Sequence, residues 1–230
     1  MYHSIYIGDK NTWDDFHLVA NNRPVVASPE VRTVYIDVPG ASGSLDLTTA
    51  LTGDVLYKNR EGSWEFTVVN YYPGFNDENW SLLYSKILSH IHGKKHKIIL
   101  EDDPEYYYYG RLAVEEWRSN ANYSMVTINY NLDPYKYSIA FDEEIAEKYT
   151  GLTISGTLTV NAVGTSRPAI PTIMVVLPSG GSMSVTYNGA VYPLTSGANK
   201  NPDIVIQGVS TKLVFTGNGT VSIVYQGGEL

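Results

Sequence analysis

Cysteine is absent from all 230 residues. That excludes disulfides, zinc ribbons, iron–sulfur clusters and thiol nucleophiles, and with them a small secreted domain held by disulfides. Charge is scarce: 17% of residues are Asp, Glu, Lys or Arg, against about 25% in an ordinary soluble domain. Basic charge is scarcer still. Sixteen Lys and Arg face 24 Asp and Glu, a formal net charge of −8. No surplus of cations is left to displace counterions from phosphates, so specific DNA or RNA binding is not expected. Long apolar runs are missing as well. Stretches such as Ile173–Leu177 are strand-sized and far short of the ~20 residues that cross a bilayer, so no membrane role is expected. The opening MYHSIYIGDKNTW has no basic region followed by an apolar one, which predicts no signal peptide and a soluble product made in the cytoplasm.

What the chain does hold is tyrosine and turn formers, with 19 Tyr, 20 Gly and 11 Pro. This mixture favours strands and turns over helical bundles. Composition changes near residue 150. All four Trp, all five His and 24 of the 28 aromatics precede it, whereas 12 of the 20 Gly follow it. After residue 150 the only charged residues are Arg167, Lys200, Asp203, Lys212 and Glu229. The acidity therefore belongs to the first part, at net −9 over residues 1–150. We expect a first domain over 1–138, a linker over 139–150 whose charged stretch Phe141–Tyr149 can form a helical turn, and a second domain over 151–230.

In the first part His3–Ile7 and Val31–Val38 alternate polar and apolar residues, as half-buried strands do. Val55–Tyr57 and Trp64–Val69 flank Asn59-Arg60-Glu61-Gly62, the pattern of a hairpin. A helix is predicted over 76–92, because Trp80, Leu83, Tyr84, Ile87, Leu88 and Ile91 form a continuous apolar stripe. Asn76 or Asp77 caps its start and Gly93 ends it. A hairpin over 97–117 follows, turning at Glu101–Glu105, and then a strand at Tyr123–Leu132. The second part reads as plain antiparallel β. Asn188-Gly189 is its strongest turn signal, and Gly217-Asn218-Gly219 reads as a second hairpin turn. About seven short strands predict a small sandwich.

Residues of catalytic type are present without the spacing that catalysis requires. His90 and His92 lie ~200° apart on a helix and cannot share a metal ion. The doublets Asp14-Asp15, Asp102-Asp103, Glu115-Glu116 and Glu143-Glu144 do not supply the two carboxyls facing each other across a sugar that a glycosidase needs. No phosphate-binding loop, nucleophile elbow, zinc-protease motif or dinucleotide fingerprint is present. These residues predict no enzyme, no cofactor and no metal. Tyr106–Tyr109 is the oddest segment, open to three readings: subunit interface, core or ligand platform. Tyr106, Tyr108 and Arg111 are the candidate contacts with a neighbouring subunit or partner.

The order of motifs then carries a resemblance. Asp37-Val38-Pro39-Gly40 leads to Gly43–Leu47, to Leu51-Thr52-Gly53 and to Tyr57-Lys58-Asn59-Arg60. The strand at Trp64–Val68, the helix, the hairpin and Asp133-Pro134-Tyr135-Lys136-Tyr137 follow. In this order the chain resembles the short form of the distal tail protein of long, non-contractile-tailed phages and prophages of Gram-positive hosts. Gly164–Ile170, leading into a β-sandwich, matches more loosely. The resemblance implies a mainly β fold with one α-helix: an N-terminal β-sandwich or split-barrel-like ring domain with a projecting hairpin, then a galectin-like β-sandwich. It implies a hexameric ring at the virion tail tip, assembled in the host bacterial cytoplasm. Such a ring joins the tail tube protein to the tail hub, supports receptor-binding or baseplate proteins, and lets DNA pass without binding it. From these, the lumen is expected to be acidic or neutral, and the hairpin Ile98–Trp117 to contact a neighbour. The alternatives are a tail-tube or baseplate adaptor, or a carbohydrate-binding module built on the second domain.

Overall fold

The computed structural model describes residues 3–50, 53–69, 77–120 and 122–230. Contacts divide the chain into two units, the first running to Lys136 and the second covering Tyr137–Glu229.

The first unit is built on one antiparallel sheet. Its strands are β1 (Ile5–Ile7), β2 (Lys10–Asn11), β3 (Val19–Ala20), β6 (Arg60–Val69), β7 (Lys95–Leu100), β8 (Tyr106–Ser119) and β9 (Tyr123–Leu132). They lie in the order β2-β1-β7-β8-β9-β6-β3. Two further strands, β4 (Tyr35–Asp37) and β5 (Ser44–Asp46), pair only with each other. The sheet has a clear inner face. Along β9, Ser124, Val126, Ile128, Tyr130 and Leu132 are buried and the residues between them are not, the period of two that a one-sided sheet requires. Helix α1 (Asp77–Ile91) covers that face with Trp80, Leu83, Ile87 and Ile91, all buried in one core with Phe66, Leu112 and Ile128. Each such side chain contributes about 1.5–3 kcal/mol by leaving water. The predicted cap at Asn76 lies outside the described residues. The helix ends at Gly93, whose φ of +73° suits a residue without a Cβ, and whose N–H donates to the Leu112 carbonyl at 2.8 Å. The stop is thus also a tie from helix to sheet.

Two expectations for this unit are corrected. Asn59–Gly62 is no hairpin turn: β6 starts at Arg60 and pairs with β9 from Arg60↔Leu132 to Val69↔Tyr123, while Tyr57 bridges to Val31. Segment 30–38 instead runs beside 44–50 and 53–58 as an arm, tied by Lys58 N–H to Glu30 O, Arg32 N–H to Leu56 O and Leu47 N–H to Val34 O. Of the expected strand Val31–Val38 only Tyr35–Asp37 forms strand, and the alternating Val34, Ile36 and Val38 are not half-buried. Those side chains, with Tyr35 and Leu45, are between 45% and 59% exposed, because among the described residues no third strand or helix pairs with the ribbon.

The second unit holds β10 (Tyr137–Ser138), α2 (Ile139–Lys148), β11 (Leu152–Val163), β12 (Thr172–Val176), β13 (Met183–Tyr187), β14 (Ala190–Leu194), β15 (Gly197–Lys200) and β16 (Ser210–Val224). The stretch 139–150 is therefore not a linker, and the described residues contain two helices rather than one. The Ser138 hydroxyl accepts the Phe141 N–H as N-cap, and Ile145 and Tyr149 are buried in the second core with Phe215, Val185 and Ile223. The charges that suggested a linker are the solvent side of an amphipathic helix. The sheet runs β14-β13-β16-β12-β15, with β11 also paired to β16. Asn188 (φ +48°) and Gly189 (φ +82°) turn β13 into β14 as expected.

Gly217-Asn218-Gly219 is not a turn but a bend inside β16, and this too corrects the sequence reading. Thr216 pairs with Ser184 of β13 before the bend and Thr220 with Val176 of β12 after it, while β11 follows the opposite edge throughout. A Cβ on Gly217 would sit 2.4 Å from the Ser182 carbonyl oxygen, and one on Gly219 2.5 Å from that of Val176. The glycines let one strand change partners at close range. Gly217→Ala is expected to lose at least about 1–3 kcal/mol from strain alone, read as a lower urea midpoint. Val224→Ala, at an exposed site of the same strand, should change it by less than about 0.5 kcal/mol.

Candidate interaction surfaces

The hairpin β7–β8 is the best-anchored feature of the first unit. Three of the four carboxylates of its turn have partners from different segments. Glu101 accepts the Ser4 N–H at 3.0 Å, Asp102 accepts Arg23 Nε at 2.6 Å, and Asp103 accepts Lys136 Nζ at 2.7 Å. Arg23 and its hydrogen bond hold the Asp102 carboxyl below the usual carboxylate range. Burial works against the charge of Lys136, but the hydrogen bond and the charge of Asp103 outweigh it and hold its ammonium above the usual lysine range.

The four tyrosines that follow each carry a cation against the ring: Lys136 4.1 Å from Tyr106, Lys97 4.3 Å from Tyr107, Arg60 5.5 Å from Tyr108 and Lys95 5.8 Å from Tyr109. Such contacts contribute roughly 0.5–2 kcal/mol according to how far the cation is desolvated. The three candidate contact residues are not brought together. Tyr108 is 9% exposed and belongs to the core; Tyr106 shares its face of β8 and is half-buried; Arg111 is exposed and lies on the opposite face by alternation. In Tyr108 the core reading prevails, because helix α1 covers its side of the sheet.

Arg60 explains why β6 begins where it does. It is buried, its Nε donates to the Pro134 carbonyl at 2.8 Å and its Nη1 to the Ala27 carbonyl at 3.0 Å. Nη2 has no hydrogen-bond partner among the described residues. Burial lowers its pKa below that of a free guanidinium. The Tyr130 hydroxyl accepts the Ala27 N–H at 3.1 Å and Trp64 Nε1 donates to the Val25 carbonyl at 2.8 Å. Residues 25–27, the root of the arm, are therefore fixed to the sheet, while the arm beyond them exposes its apolar side chains. Sequence alternation pointed to a strand at 31–38 but gave neither its partner β5 nor what its apolar side meets.

The histidines serve structure. His90 Nε2 donates to the Ile7 carbonyl at 2.8 Å, His96 Nε2 to the His90 carbonyl at 2.9 Å, and His92 Nδ1 accepts the Val114 N–H at 3.1 Å. The His90 and His96 rings lie 5.0 Å apart, yet no group of three or more metal-ligating side chains is present among the described residues. In the second unit a cleft of about 230 Å³ opens between β14 and β15, lined among others by Tyr192, Asn199 and Lys200. The Asn199 amide is already engaged by Thr195, Gly197 and Ile173, which leaves it no donor for a sugar hydroxyl.

No family model matches the chain, and no curated protein matches its sequence. Its fold is similar to the crystal structure of SPP1 Dit (gp 19.1), described as a paradigm of the hub adsorption apparatus in phages infecting Gram-positive bacteria. The TM-score is 0.59 at 14% sequence identity, and the match covers 100% of both chains. At that identity the likeness is one of fold.

Two outcomes are expected from these contacts. Tyr108→Ser should cost about 3–5 kcal/mol in urea unfolding, as large-to-small core changes do, and Tyr106→Ser, half-buried, clearly less. Burial holds His96 below the ordinary histidine range, so the folded state favours its neutral ring. That contribution is complete above about pH 6.5 and is lost as pH falls through the folded-state value. The urea midpoint should decline below pH 6.5, and less steeply in His96→Gln.

Proposed function

We propose that this chain is a structural protein of a bacteriophage tail tip, and that copies of it close into a hexameric ring joining the tail tube to the tail hub. Receptor-binding or baseplate proteins are its outer partners, and DNA traverses the ring without specific binding. Its work is scaffolding, with no reaction and no cofactor. The observation that carries this reading is the fold likeness to a phage hub protein over both units and the full length of each chain.

Two physical features support it. The arm at 30–58 carries Val31, Val34, Tyr35, Ile36, Val38, Leu45 and Leu56, all large and all exposed. An isolated two-stranded ribbon is marginal in water, and a cluster of this kind marks a surface that another molecule covers. The edge strand β3, two residues long, pairs with only Phe66 and Thr67 of β6 and leaves most of that strand's outer edge open, and a closed assembly covers such edges. A net charge of −9 over residues 1–150 suits a passage through which DNA moves without sticking.

Light scattering on a sizing column tests the reading. Six copies of 25.5 kDa give a particle of ~153 kDa, the mass expected for a closed ring. Ile36→Asp with Leu45→Asp should leave the fold intact, since both are exposed, and should lower the mass. A particle of 25.5 kDa at all concentrations for the unmodified chain would remove the ring.

A further inference from the structure

On the face of the first sheet that α1 does not cover, one cross-strand row has its charges sorted by strand. Register places Lys95 of β7 opposite Arg111 of β8, Arg111 opposite Asn131 of β9, and Asn131 opposite Glu61 of β6. These four residues make one row across four strands, all exposed, because directly opposed residues share a face. Lys97, two residues from Lys95, extends the cationic end, and Glu65, four residues from Glu61, extends the acidic end. The neutral middle is Thr127, Asn129 and Asn131 of β9.

The two ends cannot neutralise each other within one chain. Three strand spacings, about 14 Å, separate Lys95 and Lys97 from β6, and two, about 10 Å, separate Arg111 from it, at or beyond the roughly 10 Å over which salt screens charge. Among the described residues none of Lys95, Lys97, Arg111 and Glu65 makes an ion pair. Arg111 Nη1 donates to the Gly93 carbonyl, Lys95 and Lys97 lie against tyrosine rings, and Glu61 accepts from Asn131 Nδ2 at 2.7 Å. Lys95 directly opposite Arg111 is a like-charge cross-strand pair, an arrangement that destabilises a sheet left to itself. It stands out in a unit whose acidic groups outnumber its basic ones.

We propose that this row is a contact between copies of the chain, the cationic end Lys95, Lys97 and Arg111 on one copy meeting the acidic end Glu61 and Glu65 on the next. Each copy then offers one end of each sign, the head-to-tail complementarity by which a heterologous contact can close a ring. The proposal rests on the self-assembly proposed above and names the surface that sets its polarity.

Charge reversal of the full-length chain tests it. K95E/R111E makes the row acidic at both ends and E61K/E65K makes it basic at both ends. Each alone is expected to fall to a lower mass on a sizing column, and an equimolar mixture of the two to recover the mass of the unmodified chain. K95E by itself, which keeps the Arg111 contact to Gly93, should shift the mass in the same direction, and near-ultraviolet circular dichroism verifies that each variant is folded. Dissociation of the unmodified particle by 0.5 M sodium chloride is expected as well. Folded variants that keep the unmodified mass, or a mixture that recovers nothing, overturn the contact while leaving the ring standing. An unmodified chain that is monomeric throughout overturns both.

Discussion

The antiparallel ladder β8–β9–β6 is the constraint on which the first unit depends. Ten residues of β9 pair with β8 on one side and β6 on the other, so its side chains are divided between two faces with no freedom to exchange them; a slip of one residue would turn the whole apolar set outward. Because Val126, Ile128, Tyr130 and Leu132 face inward, α1 has an apolar surface to lie on. Because Thr127, Asn129 and Asn131 face outward, the opposite surface stays open and polar, with cations on one flank and carboxylates on the other. Core and interaction surface are two consequences of one register.

The anchoring of irregular segments follows a second rule, that buried or half-buried polar groups find fixed partners. The turn of β7–β8 is held by three carboxylates with three partners, and the root of the arm by Arg60, Trp64 and Tyr130. Individually the exposed ion pairs contribute little, about 0–1 kcal/mol. Together with the buried guanidinium they decide where the ordered sheet stops and the projecting arm starts. That division leaves a body fixed by its hydrogen bonds and, beyond it, an arm whose apolar side chains are exposed. In the second unit the same division is made by β16, which bends at Gly217–Gly219 and so joins β13 to β12 around one core.

Much of this could be read from residue order. The stripe from Trp80 to Ile91 specified α1, the alternation in Tyr123–Leu132 specified β9, and Asn188-Gly189 specified its turn, because each depends on neighbours within one or two turns of chain. The absence of cysteine and of basic surplus likewise bounded the chemistry without any coordinates. Where the reading failed, the deciding group was distant in sequence. Residues 139–150 looked like a linker because five of the twelve are charged, and 139–148 became helix because Ile145 and Tyr149 join the core that holds Ile223 and Phe215. Asn59–Gly62 had turn composition, but Arg60 is tied to Ala27 and Pro134. Gly217-Asn218-Gly219 had turn composition too, and became a bend because Ser182 and Val176 approach its backbone.

The sequence by itself determined α1, β9 and the turn at Asn188-Gly189, that the fold is mainly β, and the motif order that pointed to a phage tail protein. Those are properties of local periodicity and of residue type. Tertiary structure alone decided which apolar strands would be covered and which left bare. Alternation makes Val34, Ile36 and Val38 as apolar as Val126 and Ile128, and the difference in their burial lies in what packs beside them. The charge row had the same origin: Lys95, Arg111, Asn131 and Glu61 are far apart in the chain, and strand pairing alone sets them side by side.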